Sequence, residues 1–206
     1  MTTFPVLDRD LLQNDDQRAL WDEITKGARG FYCGGPESKR IPDLYNAWLQ
    51  FPQFARSVFQ IADAVRTGSE LPGKLRELLV LVTCARLGAQ VEFNFHVPFA
   101  VAEGLSGEFI AALREGRKPP LADEGERIVY EANVQLLQSA TLSARTREEL
   151  VACLGYRGLV HFIATIVIYV ATAFTMNISN AKLAENFSVD PQTLCDFFTG
   201  RVADAQ

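Results

Sequence analysis

The chain has 206 residues, 48% apolar and 22% charged, with a net charge of −5 at pH 7. That is enough apolar material for a core that needs no disulfide or metal staple. The acidic balance, with no Lys/Arg cluster to interrupt it, argues against a nucleic-acid-binding surface. The N-terminal stretch MTTFPVLDRD has neither a basic nor an apolar leader region, so a cytoplasmic protein without a signal peptide is expected. Cys33, Cys84, Cys153 and Cys195 form no C-x-x-C pair and no zinc-module spacing, and are read as reduced, mostly buried thiols.

The first seventy residues mix short helical patterns with punctuation. DDQRALWDEITKG predicts a helix ending at Gly27, and GFYCGGPESKRIP an irregular connection. DLYNAWLQFPQFARSVFQIADAVRTG predicts two helices broken near Pro52. Residues 1–70 are therefore expected to form a helical extension packed on a helical core over 71–206, one structural domain overall.

From Leu71 the signals sharpen. LPGKLRELLVLVTCARLG carries apolar residues at 75, 78, 79, 82 and 85 and Gly88 after its end, the pattern of a helix. SGEFIAALREG follows, with Ser106 as N-cap and Gly116 as stop. DEGERIVYEANVQLLQSA is amphipathic, TREELVACLG precedes a long apolar segment, and DPQTLCDFFTG predicts a short C-terminal helix. The fold class is all-α.

One stretch resists the pattern. LGAQVEFNFHVPFA, residues 87–100, alternates apolar and polar positions as a strand does. A lone strand has nothing to pair with in a helical chain, and Pro98 is poorly placed inside one. As a helix, the stretch puts Glu92 and His96 one turn apart on one side and surrounds them with phenylalanines. Pro98 then predicts a kink. A carboxylate beside an imidazole in apolar surroundings is a common way to hold a proton near neutral pH.

Two further anomalies accompany that pair. Glu77 projects toward Val80, Leu81 and Cys84, away from Lys74, Arg76 and Arg86, and a buried carboxylate needs a partner. Residues 159–178, LVHFIATIVIYVATAFTMNI, run without a formal charge for about the length of a membrane span. His161, Asn177, the threonines and the absence of a second span favour a buried central helix, so no membrane is expected. On it His161, Thr165, Tyr169, Thr172 and Thr175 form one polar stripe that suits a cavity or a subunit interface.

The run LPGKLRELLVLVTCARLGAQVEFNFHVPFAVAEGLSGEFIAALREG resembles the core of the carboxymuconolactone decarboxylase family, which shares an all-helical fold with alkylhydroperoxidase D-like proteins. L-P-x-x-L-R-E-L, G-A-Q-x-E, H-V-P-x-A and a G-L-S helix start occur in the family's order. The likeness extends more weakly through YNAWLQFPQFA upstream and through DEGERIVYEANVQLL and YVATAFTMN downstream. By this resemblance His96 takes the histidine position of the peroxidase branch and Glu77 its glutamate. The two cysteine positions fall on Ala89 and Glu92, so neither the attacking nor the resolving thiol of a peroxidase is present. His161 stands where an acidic residue is expected.

The resemblance therefore implies a cofactor-free acid/base lyase or isomerase. It would decarboxylate, isomerise or dehydrate a small cyclic or conjugated organic acid or lactone. His96 is the expected general acid/base, Glu92 its orienting partner and Glu77 the second proton carrier. Tyr45, Asn46, Arg86, His161 and Tyr169 are the expected substrate wall, with Arg86 the anion partner although it projects away from Glu77. No metal is expected, the partner is a small-molecule substrate, and the protein is expected to be a homo-oligomer (dimer, trimer or hexamer). Two alternatives stand beside this reading: a metal site built from His96, His161, Glu92 and Glu77, and a non-catalytic ligand-binding or assembly protein.

Overall fold

Seven consecutive residues, Leu78 to Cys84, are withdrawn completely from solvent, and they set the centre of the molecule. A helix apolar on all sides must be enclosed on all sides. The helix that carries them, α4 (Gly73–Arg86), packs against α5 (Gln90–Ala102), α6 (Gly107–Arg114), α7 (Glu124–Ser139) and α8 (Ala144–Ser179). Before it come α1 (Asp15–Lys26), α2 (Asp43–Trp48) and α3 (Pro52–Thr67). A computed structural model describes residues 3–33 and 35–182; these contain helices and no strand, so the fold is all-α. The expected C-terminal helix DPQTLCDFFTG, with Cys195, lies outside the described residues.

Local chemistry explains the boundaries. Asn14, Ser106, Asp123 and Ser143 each accept a backbone N–H in the first turn of the helix they precede. Pro52 opens α3, at the place where the sequence predicts a break between two helices. Gly88 and Gly116 follow α4 and α6 at φ of +68°.

The stretch that alternates like a strand is α5. Glu92 lies in its first turn, where a carboxylate complements the helix dipole. Pro98 lies inside the helix and removes the hydrogen bond to the carbonyl of Asn94. Asn94 is exposed, so the lost bond falls on the side where it costs least.

Two apolar clusters meet along α5 and α8. One joins α4 to α7 and the buried face of α8 through Leu79, Phe93, Phe109, Val129 and Phe162. The other gathers the N-terminal helices through Trp21, Tyr45, Trp48 and Phe59, and reaches Phe99 and Ile168. The two clusters thus share their seam at α5 and α8, where Tyr169 touches both.

α8 is long and apolar enough to cross a membrane by length and composition. Its inner side, including Leu150, Phe162 and Ala173, is nevertheless built into the core. Its outer side leaves Tyr156 (80% exposed), Val160 (62%), Ile163, Val167, Phe174 and Ile178 uncovered. Of the stripe threonines, Thr165 and Thr175 bond back to their own helix, at 2.7 and 2.8 Å.

α8 breaks once, at Gly155 with φ 63° and ψ 177°, which divides the TREELVACLG segment from the apolar run. This backbone region is essentially reserved for glycine. A β-carbon there would meet no atom within 4 Å, so alanine would be opposed by the backbone alone. Gly155→Ala should cost about 1–3 kcal/mol in urea unfolding, with the denaturant slope unchanged.

Candidate active site

The Glu77 carboxylate comes off the middle of α4 and meets the His96 ring from the middle of α5. His96 Nδ1 lies 2.8 Å from Glu77 Oε2, with both groups almost wholly buried (2% and 3% exposed). On the other side of the ring, Nε2 lies 3.1 Å from the Tyr169 hydroxyl of α8 and 3.5 Å from Glu92 Oε1 one turn earlier in α5. The first is a hydrogen bond and the second a looser ion contact. The rings of Phe95, Phe99 and Tyr169 surround the imidazole at centroid distances of 5.0 to 5.5 Å.

Charge follows from this packing. Burial pulls the His96 pKa down, but Glu77 and Glu92 override it and lift it to about 9, so the ring is an imidazolium at neutral pH. Both ring nitrogens then donate, Nδ1–H to Glu77 and Nε2–H to the Tyr169 oxygen. Burial, with the two carboxylates, drives the Tyr169 pKa well above its ordinary value, while Arg66 opposes the rise. The phenol keeps its proton, and because its oxygen accepts from His96, that proton is available to a third group.

The third group has somewhere to sit. A small, partly open cleft with a cavity volume of about 30 Å³ lies between α3, α4 and α8. Ala62, Val65 and Ile168 make its apolar side; Arg66, Arg76, Glu77 and Tyr169 make its polar side. His96 is not on the lining. It sits behind Glu77 and Tyr169 and reaches the cleft only through them.

The structure brings Glu77, Glu92, His96 and Tyr169 together and leaves the other expected residues elsewhere. Arg86 is exposed at the end of α4, away from the cleft. The cations at the cleft are Arg66 and Arg76; Arg76 Nε approaches Glu77 Oε1 to 3.5 Å, although it was projected away from it. Projection tracks where a side chain starts, and a guanidinium on a long stem ends far from that point.

Asn46 is committed to backbone, accepting from Leu7 N at 2.9 Å and donating to Pro5 O at 2.8 Å. Tyr45 packs edge-on against Trp48 and Phe59 in the N-terminal cluster. His161 Nδ1 accepts from the Glu70 backbone at 2.7 Å, two turns and about 12 Å of helix rise from Tyr169. It therefore ties the α3–α4 connection to α8 and does not join His96, and among the described residues no group of His, Cys, Asp and Glu side chains is arranged to hold a metal ion.

Arg66 escaped the sequence reading, yet it had a signal: it lies four residues after Ala62 and seven after Phe59, on the inward face of α3.

Cysteine chemistry has no foothold at this site. Cys84 is fully buried, and burial with Glu92 and Glu77 drives its thiol well above the ordinary range, so the reactive thiolate is suppressed.

A group whose pKa is higher folded than unfolded stabilises the fold most at low pH. The His96 contribution should be fully present below about pH 6.5 and lost as pH rises through about 9. Urea unfolding between pH 6 and 10 should show that decline, and His96→Gln should remove it while leaving the rest of the pH profile in place.

Comparison with known proteins finds a likeness over part of the chain and over its fold. Residues 52–132 match the carboxymuconolactone decarboxylase family, so the match takes in α3 and its half of the cleft. No curated protein matches the chain. A peroxidase-related protein from Ralstonia eutropha JMP134, with an alkylhydroperoxidase AhpD core, is similar at TM-score 0.66 and 15% identity, over 90% of this chain and 94% of that one. The debrominase Bmp8 in its apo form is similar at TM-score 0.63 and 14% identity, over 91% and 95%. A cysteine-to-alanine variant of Bmp8 in complex with 2,3,4-tribromopyrrole gives 0.64 and 14%, over 95% and 98%. At such identities the likeness is one of fold. The chain carries the alkylhydroperoxidase D-like fold, and its residues 52–132 match the carboxymuconolactone decarboxylase family.

Proposed function

We propose that the protein is an acid/base enzyme, a lyase or isomerase, acting on a small cyclic or conjugated organic acid or lactone. The observation that carries this reading is the continuous line Glu77, His96, Tyr169, which ends in a cleft with a carboxylate and a phenol on its wall. Glu77 is the group placed to take a proton from a carbon beside a carbonyl. Tyr169 is placed to donate a hydrogen bond to the enolate oxygen that forms. The proton then returns to carbon, at the same or a conjugated position, or an electron pair is left by departing carbon dioxide and protonated from the same line.

His96 is a positioning residue here. Its charge strengthens the Tyr169 donor and holds the Glu77 carboxylate, a change from the direct acid/base role that the sequence alone suggests. Glu92 balances that charge. The debrominase complex supports the size class, since 2,3,4-tribromopyrrole is a small conjugated ring bound to a protein of this fold.

The test is proton NMR in D2O with a panel of enolisable conjugated acids and lactones, following deuterium uptake, isomerisation and loss of carbon dioxide. The wild-type protein should act on at least one member. Tyr169→Phe and Glu77→Gln should each slow it about 10²–10⁴-fold. Activity on no member, or unchanged rates in both variants, would refute the reading.

In the same proposal the enzyme is a homo-oligomer built on the outer side of α8. Residues 156, 160, 163, 167, 170 and 174 recur at spacings of four and three, the spacing at which an identical helix interlocks. No Asp, Glu, Lys or Arg intervenes between Arg157 and Lys182, so only an equally apolar face complements this one. Sedimentation should show an oligomer that Val167→Glu with Phe174→Glu reduces to a helical monomer. A monomeric wild type, or vesicle binding in place of self-association, would count against it.

A further inference from the structure

Arg76 reaches two carboxylates and closes on neither. Its Nε lies 3.5 Å from Glu77 Oε1, and its Nη2 lies 3.7 Å from Glu103 Oε1. Charge-assisted hydrogen bonds close to about 2.7–2.9 Å, so each contact stops short of one. The Glu77 oxygen concerned is the one left to the cleft, because Oε2 is held by His96 Nδ1 at 2.8 Å. A guanidinium closed on Oε1 would occupy the lone pairs that a base needs.

Glu103 follows directly on α5 and is not on the cleft lining. Its carboxylate is placed by the start of α4. A β-carbon on Gly73, the first residue of α4, would overlap that carboxylate. Pro72 supplies no side-chain cap to α4, so the Glu103 charge lies where it complements the helix dipole. Gly73 thus makes the room in which Glu103 stands within reach of Arg76.

We propose that Glu103 is a positioning residue for Glu77: by competing for the Arg76 guanidinium it keeps Glu77 Oε1 open to the substrate, and Gly73 is the residue that lets it do so. The proposal rests on the reading of Glu77 as the base and adds the device that keeps this base uncovered. Removing the Glu103 charge, or pushing its carboxylate aside with a methyl group on Gly73, lets Arg76 close on Glu77. The Glu77 carboxylate is then shared between two cations, and its hold on His96 weakens.

The chain has only two histidines, so nitrogen-15 NMR of the imidazole rings reads His96 without any substrate. The charged and titratable groups around the Glu77–His96 pair are Arg76 and Cys84 on α4, Glu92 on α5, Tyr169 on α8 and Arg66 on α3. Glu103→Gln and Gly73→Ala leave all of these in the chain. His96 should titrate at about 9 in the wild type. Both variants should lower that midpoint by about half a unit to one unit, and Arg76→Met should raise it by about as much. With Arg76→Met in place, Glu103→Gln should lose most of its effect, the mark of an action that passes through Arg76. On a substrate found in the D2O panel, Glu103→Gln and Gly73→Ala should lower kcat about tenfold, with KM changed less. Melting curves confirm that each variant is folded.

An unchanged or raised midpoint in either Glu103→Gln or Gly73→Ala would overturn the proposal, as would an effect of Glu103→Gln equal in size with and without Arg76. The two proposals fail differently. If only the acid/base reading is wrong, the His96 midpoints still move through Arg76 while no member of the panel reacts. If only the role of Glu103 is wrong, turnover occurs and Glu103→Gln leaves both its rate and the His96 midpoint in place.

Discussion

A carboxylate and an imidazolium, both shut off from water between α4 and α5, are the constraint around which the rest is arranged. Desolvating Glu77 or His96 alone would cost several kcal/mol. Together, with Nδ1 and Oε2 at 2.8 Å, they offset much of that cost. The pair also sets how α4 and α5 lie against each other, because a shift of either helix would separate two buried charges. Apolar side chains such as Leu79 and Phe93 tolerate small slips, whereas a hydrogen-bonded ion pair does not.

From that pair the chemistry spreads outward in one direction. The Tyr169 hydroxyl accepts from the far side of the ring and carries its own proton to the cleft, so a charge fixed in the core is felt at the surface of a cavity it does not touch. The cleft exists because α3 from the N-terminal extension stands opposite α4 and α8. Without Ala62, Val65 and Arg66, the Tyr169 phenol and the Glu77 carboxylate would face open solvent. Helix α3 is therefore part of the cleft, and the family match begins at its first residue, Pro52.

Glu77, Glu92 and His96 were legible in the letters because each is a polar residue in surroundings that should contain none. Tyr169 was legible for the same reason. The helix over 90–102 was legible only by elimination, since its alternation mimics a strand and the deciding fact was the lack of any partner strand. Asn46, Arg86 and His161 were misplaced because a helical projection knows only its own helix. It cannot see that the Pro5–Leu7 segment crosses Asn46, or that the α3–α4 connection reaches His161. Arg66 carried a spacing signal for the inward face of α3, but what that face meets depends on α3 standing against α8, a tertiary relation that the spacing does not encode.

Glu92 stands where the resemblance to thiol peroxidases expects a cysteine, and that exchange decides which chemistry the line can run. A thiolate at this point would be a nucleophile beside His96. A carboxylate adds a second negative charge instead, which holds His96 cationic and Tyr169 protonated at the same time. In the proposed reading the imidazolium stays charged through a catalytic cycle while protons pass at its two ends, so that the ring serves as a fixed positive centre and Glu77 and Tyr169 exchange the protons.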